Sequence, residues 1–429
     1  MSRLLVGARQ VVTCRGPARA RRGAEMRDLD VLTDVAVLVG DDGRIAAVGP
    51  YGELKGRPKG GGGGRDAAGR GPRARGRPVV EEVDGVLFPG FVDSHTHAIF
   101  GAPRLDDHER RALGMDYKAI AAEGGGILSS VRDFRQRSRD ELFDVTRRRL
   151  AHLLANGATT VEVKSGYGLE TGAELLALEV VAELAASGGP DVVGTFLGAH
   201  EVPEEHRARR GEYLRMVIEE MLPAVARQGV ARFCDVFCEP GVYTAAESRR
   251  VLEAARHHDL GLKLHADELD PSGGAELAVT LGAVSADHLA AVSERGIVAL
   301  GQSATTVAVL LPGTMMFLGR KVQAPARRLI EAGAAVALAT DFNPGSAPGM
   351  SLPLMAMLGV SQLGMRHAEA VMAITVNGAA ALGLADDRGQ IVPGFRADLT
   401  LVEADDWREL PYWYGTNLVT RTWVGGAPC

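Results

Sequence analysis

Histidines and acidic residues recur at comparable places along this chain. The segment Asp93-Ser94-His95-Thr96-His97 closes one apolar run, and His265, His288 and Asp341 close three others. Side chains alternate along an extended chain, so the His-x-His pair presents both imidazoles on one side. Two neutral imidazoles at that spacing can grip one divalent ion. Histidines of this kind joined by an aspartate form an N3O donor set suited to zinc or iron. Such an ion acidifies water and polarises carbonyls, which is hydrolytic chemistry. Taken singly, each residue has a plainer reading: an ordinary polar pair, a core histidine at 265, and a turn initiator where Asp341 precedes Phe342-Asn343-Pro344-Gly345. Their joint occurrence at successive strand ends argues for a site.

The elements that must position these residues are strands alternating with helices. Eight short β-branched or apolar runs recur at Val86–Val92, Thr159–Val163, Val192–Leu197, Phe233–Phe237, Leu262–Leu264, Ala283–Ser285, Ile297–Leu300 and Ala335–Ala339. Amphipathic segments separate most of them. That alternation predicts an α/β fold with a parallel sheet, and eight repeats predict a (β/α)8 TIM barrel whose strand C-termini carry the site. A doubly wound open sheet is the alternative; no G-x-G-x-x-G opens a helix after the first strand, which counts against it. Residues 1–85 read as short strands and turns, including Val31–Leu38 and Ile45–Val48, and carry a Gly/Arg-rich stretch at 55–77 that includes Gly60–Gly64 and is expected to be a flexible surface loop. After Asn377 strand-like runs return at Gly389–Gly394 and Ala397–Val402. The expected organisation is therefore a barrel over 86–377, inserted into a small β-sandwich built from 1–85 and 378–429.

Composition bounds the function classes. Of 429 residues, 46% are hydrophobic and 24% charged, enough to bury a large core. Net charge is −6, which leaves no basic footprint for nucleic acid, so an anionic substrate must be held by a few local Arg or His side chains. No apolar run reaches the roughly 18 residues of a membrane helix. The Arg-rich start is weighed as a transit peptide, but Leu4-Leu5-Val6 and Val11-Val12 have the look of strands, and a cytoplasmic location is expected. Four scattered cysteines (Cys14, Cys234, Cys238, Cys429) make no disulfide framework and are expected to be buried or inert thiols in a reducing compartment.

Several stretches carry a resemblance. Phe88–His97, Glu123-Gly124-Gly125-Gly126-Ile127, Val161–Leu169, Phe196–His200, His265–Leu269 and Thr340–Gly345 closely resemble the amidohydrolase superfamily and, within it, the imidazolonepropionase family. The similarity runs from Phe88 to about Gly394. It implies a hydrolase that opens a cyclic amide, imidazolonepropionate, with one divalent or trivalent ion, zinc or iron. It places the metal ligands at His95, His97, His265 and Asp341. Substrate contacts map onto Arg104, Tyr167, His200, Glu268, Asn343, Gly345 and Ser346, with a further polar position at His288; catalytic roles fall to Glu268, His288 and Asp341. On this reading Asp341 and His288 handle the proton of the attacking water. Glu268 either contacts ring N–H groups and protonates the leaving nitrogen or merely orients His265. Arg104 suits a bidentate grip on the propionate carboxylate. Tyr167 lies between two glycines that let the backbone approach a ligand, and His200 hydrogen-bonds the substrate or shuttles a proton. Ser346 stands where threonine is frequent, a swap that keeps the hydroxyl. Lys164 ends the second strand, and other amidohydrolases bridge two metals with a modified lysine from the barrel; the family resembled uses one metal, so a structural role is expected for Lys164.

Two rival readings use the same fold: a cytosine- or guanine-type deaminase, and a non-catalytic binding protein. Arg104 with Tyr167 favours a carboxylate-bearing substrate over a neutral base, and the presence of all four ligand positions counts against the second. The expected partner is a small-molecule substrate, not nucleic acid or membrane. A homodimer is expected because two-fold assemblies are the commonest.

Overall fold

The structure, a computed structural model, describes residues 1–55 and 77–429. Eight parallel strands form one sheet in sequence order: Phe91–Asp93, Ala158–Lys164, Asp191–Ala199, Ala231–Cys238, Gly261–Ala266, Ser285–His288, Val307–Leu310 and Val336–Leu338. The sheet closes on itself just beyond its ends. His97 N–H donates to the Phe342 carbonyl at 2.8 Å, and Asp341 N–H to the His95 carbonyl at 3.0 Å. Deeper in the seam, Thr340 donates to Asp93 through its N–H (3.0 Å) and its hydroxyl (2.7 Å). The backbone that carries His95, His97 and Asp341 is thus the seam of the barrel, which fixes those side chains by ladder geometry.

Local signals explain the helices between strands. Ser138 caps Arg139–Ala155, its hydroxyl accepting from Glu141 N–H at 3.2 Å while Glu141 accepts from Ser138 N–H at 2.8 Å. Thr244 and Glu247 do the same for Ala245–His257. Each such box satisfies two of the helix's orphan donors.

Four sequence-based expectations need correction. Ile297–Leu300 is not the seventh strand; it lies in the helix Glu294–Gln302, capped by Ser293. Gly296, Ile297, Leu300 and Gly301 are buried while Val298 is 54% exposed, which is the helical period. The seventh strand is Val307–Leu310, buried on all sides. Val86–Val92 is two strands: Val86–Pro89 pairs antiparallel with Leu399–Val402, and only Phe91–Asp93 joins the barrel. The break falls at Gly90, where a Cβ would meet Thr159 at 2.1 Å. Val31–Leu38 also divides, into Val31–Leu32 and Ala36–Val39, with Asp34 between them in the left-handed region at φ 56°. Gly389–Gly394 is a turn, although Ile391 N–H still donates to the Thr13 carbonyl.

The termini build two further sheets. One orders Ile45–Gly49, Ala36–Val39, Arg3–Val6 and Val79–Glu82; the other orders Ala427–Pro428, Val419–Val424, Leu399–Val402, Val86–Pro89, Gln10–Val12 and Val31–Leu32. Leu5, Val37, Val39 and Ile45 of the first pack on Val11, Leu87, Leu399, Leu401 and Trp423 of the second, a sandwich core. Residues 56–76, which include Gly60–Gly64 and nearly all of the expected loop, lie outside the described residues. Cys14, Cys234 and Cys238 are buried, Cys429 is exposed, and all four are free thiols. Among the described residues, no helix is long and apolar enough to cross a membrane.

Candidate active site

At the C-terminal mouth of the barrel a narrow cavity is lined by His97, Arg104, Tyr167, His200, His265, Glu268, His288, Asp341, Asn343 and Ser346, with Ile127, Phe237 and Leu269 as its apolar walls. Ten of the twelve sequence-predicted site residues therefore meet in one place. His95 lies beneath it, with its side chain fully buried, and Gly345 lies behind Arg104.

Donor atoms converge at the floor. His95 Nε2 and His97 Nε2 each stand 3.5 Å from Asp341 Oδ1, and His265 Nε2 stands 3.3 Å from His97 Nε2. Four ligands held tetrahedrally at about 2.1 Å from an ion stand about 3.4 Å from one another. His95 Nε2 and Asp341 Oδ1 are buried and have no hydrogen-bond partner among the described residues, a costly arrangement unless something binds there. His95, His97 and Asp341 form one triad of mutually close donors, and His95, His265 and His288 form another. This donor set fits a cation.

Three of the imidazoles at the floor are in the state a metal requires. Burial, and then the nearby positive charges, hold His95, His97 and His288 well below the ordinary histidine range, so each offers a neutral lone pair. Their orientation comes from a second layer. Asp287 Oδ2 lies 2.6 Å from His95 Nδ1, which fixes that ring's proton on Nδ1 and turns Nε2 to the cavity. Asp235 Oδ2 lies 3.0 Å from His265 Nδ1, and its Oδ1 accepts the His265 backbone N–H at 3.1 Å. Thr314 donates its hydroxyl to Asp341 Oδ2 at 2.7 Å, leaving Oδ1 for the floor. Burial raises the Asp341 carboxyl to about 6.

Higher in the cavity, Glu268 Oε2 is 3.7 Å from His288 Nε2. Burial, with Asp341 and Glu239 nearby, pushes Glu268 well above the carboxylate range, which favours its protonated form. Glu239 fixes its loop by accepting the backbone N–H groups of Glu268 (3.2 Å) and Asp270 (2.8 Å). His288 (φ 78°) and Asp341 (φ 54°) both occupy the left-handed region, a strain of about 1–3 kcal/mol each that collects at functional positions.

His200 Nδ1 donates to the Gly166 carbonyl at 2.9 Å, and its ring stacks on His97 with centroids 5.0 Å apart. Gly166 permits this: at φ 107° a Cβ would lie 3.1 Å from that nitrogen. Arg104 is only 6% exposed, and its Nε and Nη1 have no hydrogen-bond partner among the described residues, although Asp107 lies 3.9 Å away. A buried fork facing a cavity in this way suits an anion. Gly345 makes room for it, since a Cβ there would fall 1.6 Å from the guanidinium. Asn343 spends its side chain on the loop itself: Nδ2 donates to the Asp341 carbonyl at 2.7 Å, and Oδ1 accepts from Gly345 and Ser346 N–H at 2.8 Å.

The sequence reading missed the layer of Glu162, Asp235, Lys263 and Asp287, all fully buried. A signal existed, because Glu162 and Lys164, and likewise Lys263 and His265, lie two apart in apolar strands and so face the same side.

Comparison with known proteins agrees with this geometry. Residues 86–429 match the model of the amidohydrolase family. An imidazolonepropionase of Parabacteroides distasonis is 46% identical over 97% of this chain and 96% of its own length. Another, of Symbiobacterium thermophilum, is 45% identical over 97% and 95%. Among solved structures, an adenosine deaminase of Xanthomonas campestris with bound zinc aligns at a TM-score of 0.66, covering 99% of this chain and 92% of that one. At 21% identity it shares the fold only.

Proposed function

The chain belongs to the amidohydrolase family and, within it, to the imidazolonepropionases, and from that premise we infer the reaction and the role of each residue. The protein hydrolyses the ring C–N bond of 4-imidazolone-5-propanoate, consuming one water and releasing N-formimidoyl-L-glutamate. The observation that supports this best is the meeting, in one cavity, of His95 Nε2 and Asp341 Oδ1 with Arg104 Nε and Nη1, buried atoms that make no hydrogen bond among the described residues.

His95, His97, His265 and Asp341 would hold one ion, zinc or iron. When bound, the ion brings the pKa of water towards about 7 and polarises the ring carbonyl. Arg104 binds the propionate carboxylate and so sets which ring edge faces the floor. His288, neutral and next to Glu268, takes the proton of the attacking water together with Asp341. Glu268, kept protonated by burial, delivers a proton to the leaving ring nitrogen. His200 keeps its Nδ1 proton on Gly166 and offers Nε2 as an acceptor to the substrate, and Tyr167 packs beside it with ring centroids 5.4 Å apart. Ser346 lies within reach of the same cavity, while Asn343 and Gly345 act by shaping the loop and seating Arg104.

The test is direct: purified protein mixed with imidazolonepropionate abolishes the absorbance of the substrate and yields N-formimidoyl-glutamate. Ammonia release from cytosine or guanine without turnover of imidazolonepropionate would replace this reading with a deaminase. Metal analysis of the same preparation identifies the ion and its stoichiometry.

A further inference from the structure

Beneath the floor, the charged side chains at zero exposure in the barrel interior include Glu162, Lys164, Asp235, Lys263 and Asp287. Isolated charges at that depth are costly, so their pairing is the point of interest. Lys164 Nζ lies 2.8 Å from both Asp235 Oδ2 and Glu162 Oε2, and 3.9 Å from Asp287 Oδ2. Lys263 Nζ donates to the Ser94 carbonyl at 2.8 Å and to Glu162 at 3.0 Å, and lies 3.8 Å from Asp287. Two of the three carboxylates touch imidazoles, Asp235 at His265 and Asp287 at His95. Of these two ammoniums, Lys164 is the one within ion-pair distance of Asp235.

We propose that Lys164 is a positioning residue of the metal site: its ammonium is the counter-charge that lets Asp235 sit in the dry interior and hold the His265 ring with Nε2 aimed at the floor. The inference rests on the reading of His265 as a metal ligand. Among the described residues, removing Lys164 leaves Asp235 with no cationic partner beyond the imidazole it orients. Asp235 then has two ways to lower its energy: to draw in water or to turn towards Lys263. Either movement withdraws it from His265 Nδ1, and the ring loses the contact that sets its angle. A lysine that only fills space would have no such effect on the floor.

The experiment titrates chelator-stripped protein with Co(II) and Zn(II), reading affinity by competition with a chromophoric chelator and ligand geometry by the visible cobalt band. The wild-type chain is expected to bind one equivalent; if it binds none, the metal reading itself fails, whatever the variants do. Lys164→Met alone leaves an unbalanced buried charge, so folding is protected by the balanced pair Glu162→Gln with Lys164→Met, compared with Glu162→Gln alone. The pair is expected to bind cobalt about 10- to 100-fold more weakly than Glu162→Gln alone, with an altered band. Equal affinity and an identical band would overturn the proposal. Lys164→Arg, which keeps the charge, is expected to recover most of the affinity; an arginine variant as weak as the methionine pair overturns it too, and decides the case if the pair does not fold by circular dichroism.

Discussion

The sandwich and the barrel are both built from short buried strands, and they fill their interiors differently. Between the terminal sheets, Leu5, Val11, Leu87, Leu399, Leu401 and Trp423 form an apolar cluster. Inside the barrel, at equal depth, lie lysines and carboxylates, among them the Asp287 and Asp235 that contact His95 and His265. The first interior stabilises by removing apolar surface from water, at about 25 cal/mol per Å². The second offers little net stability, because desolvation offsets most of what its ion pairs contribute. Its value is geometric, since fixed charges point lone pairs at one spot. Substitutions in the two regions should therefore separate stability from chemistry.

The largest effect belongs to the barrel floor. His97→Ala is expected to lower kcat/KM by about 10³-fold or more, about 4 kcal/mol of barrier, with metal content falling in step and the melting temperature of the stripped protein little changed. Retention of both activity and metal would break the contrast. In the sandwich, Leu399→Ala should cost about 3 kcal/mol of stability by denaturant unfolding, through the cavity it leaves, with kcat/KM unchanged at a temperature where the protein stays folded. A rate loss there would show that the two regions are coupled.

Smaller effects sharpen the comparison within the site. Glu268→Gln is expected to lower kcat by about 10²-fold with little change in KM. Its sign with pH follows from burial: a carboxyl pushed well above its ordinary range keeps its proton to higher pH than a free glutamate, so the wild-type rate falls as pH rises through that raised value. The glutamine variant should lose that limb in a pH–rate profile, and a profile that keeps it would assign the proton to another group. Gly345→Ala is the mildest. Its methyl would overlap the Arg104 guanidinium, which must swing aside, so KM should rise about tenfold with kcat nearly constant, measured by initial rates.

How much was legible follows from the kind of signal each residue leaves. His95, His97, His265, His288 and Asp341 each interrupt the end of an apolar run, and a run with a polar terminus can be seen in one dimension. Arg104, Glu268 and Tyr167 leave no such mark in the spacing, and their expected roles came from the resemblance of the surrounding motifs. The seventh strand was misplaced because four apolar residues fit a strand and a buried helix face equally well until the exposure of Val298 separates them. The Val86–Val92 run concealed a sheet boundary at Gly90 for a similar reason: both halves are buried and both are extended.

By itself, the amino-acid order determined the alternation of strands and helices, the caps that start several helices, and which residue types end the strands, because these depend on neighbours a few positions away. Only the closed tertiary structure decided that Asp287 meets His95 across 192 residues, that Lys164 reaches Asp235 across 71, and that Asp341 and His288 take backbone angles few residues adopt. Those facts depend on the tilt and closure of the barrel, which bring distant strands to one axis, and no local pattern records where that axis will run.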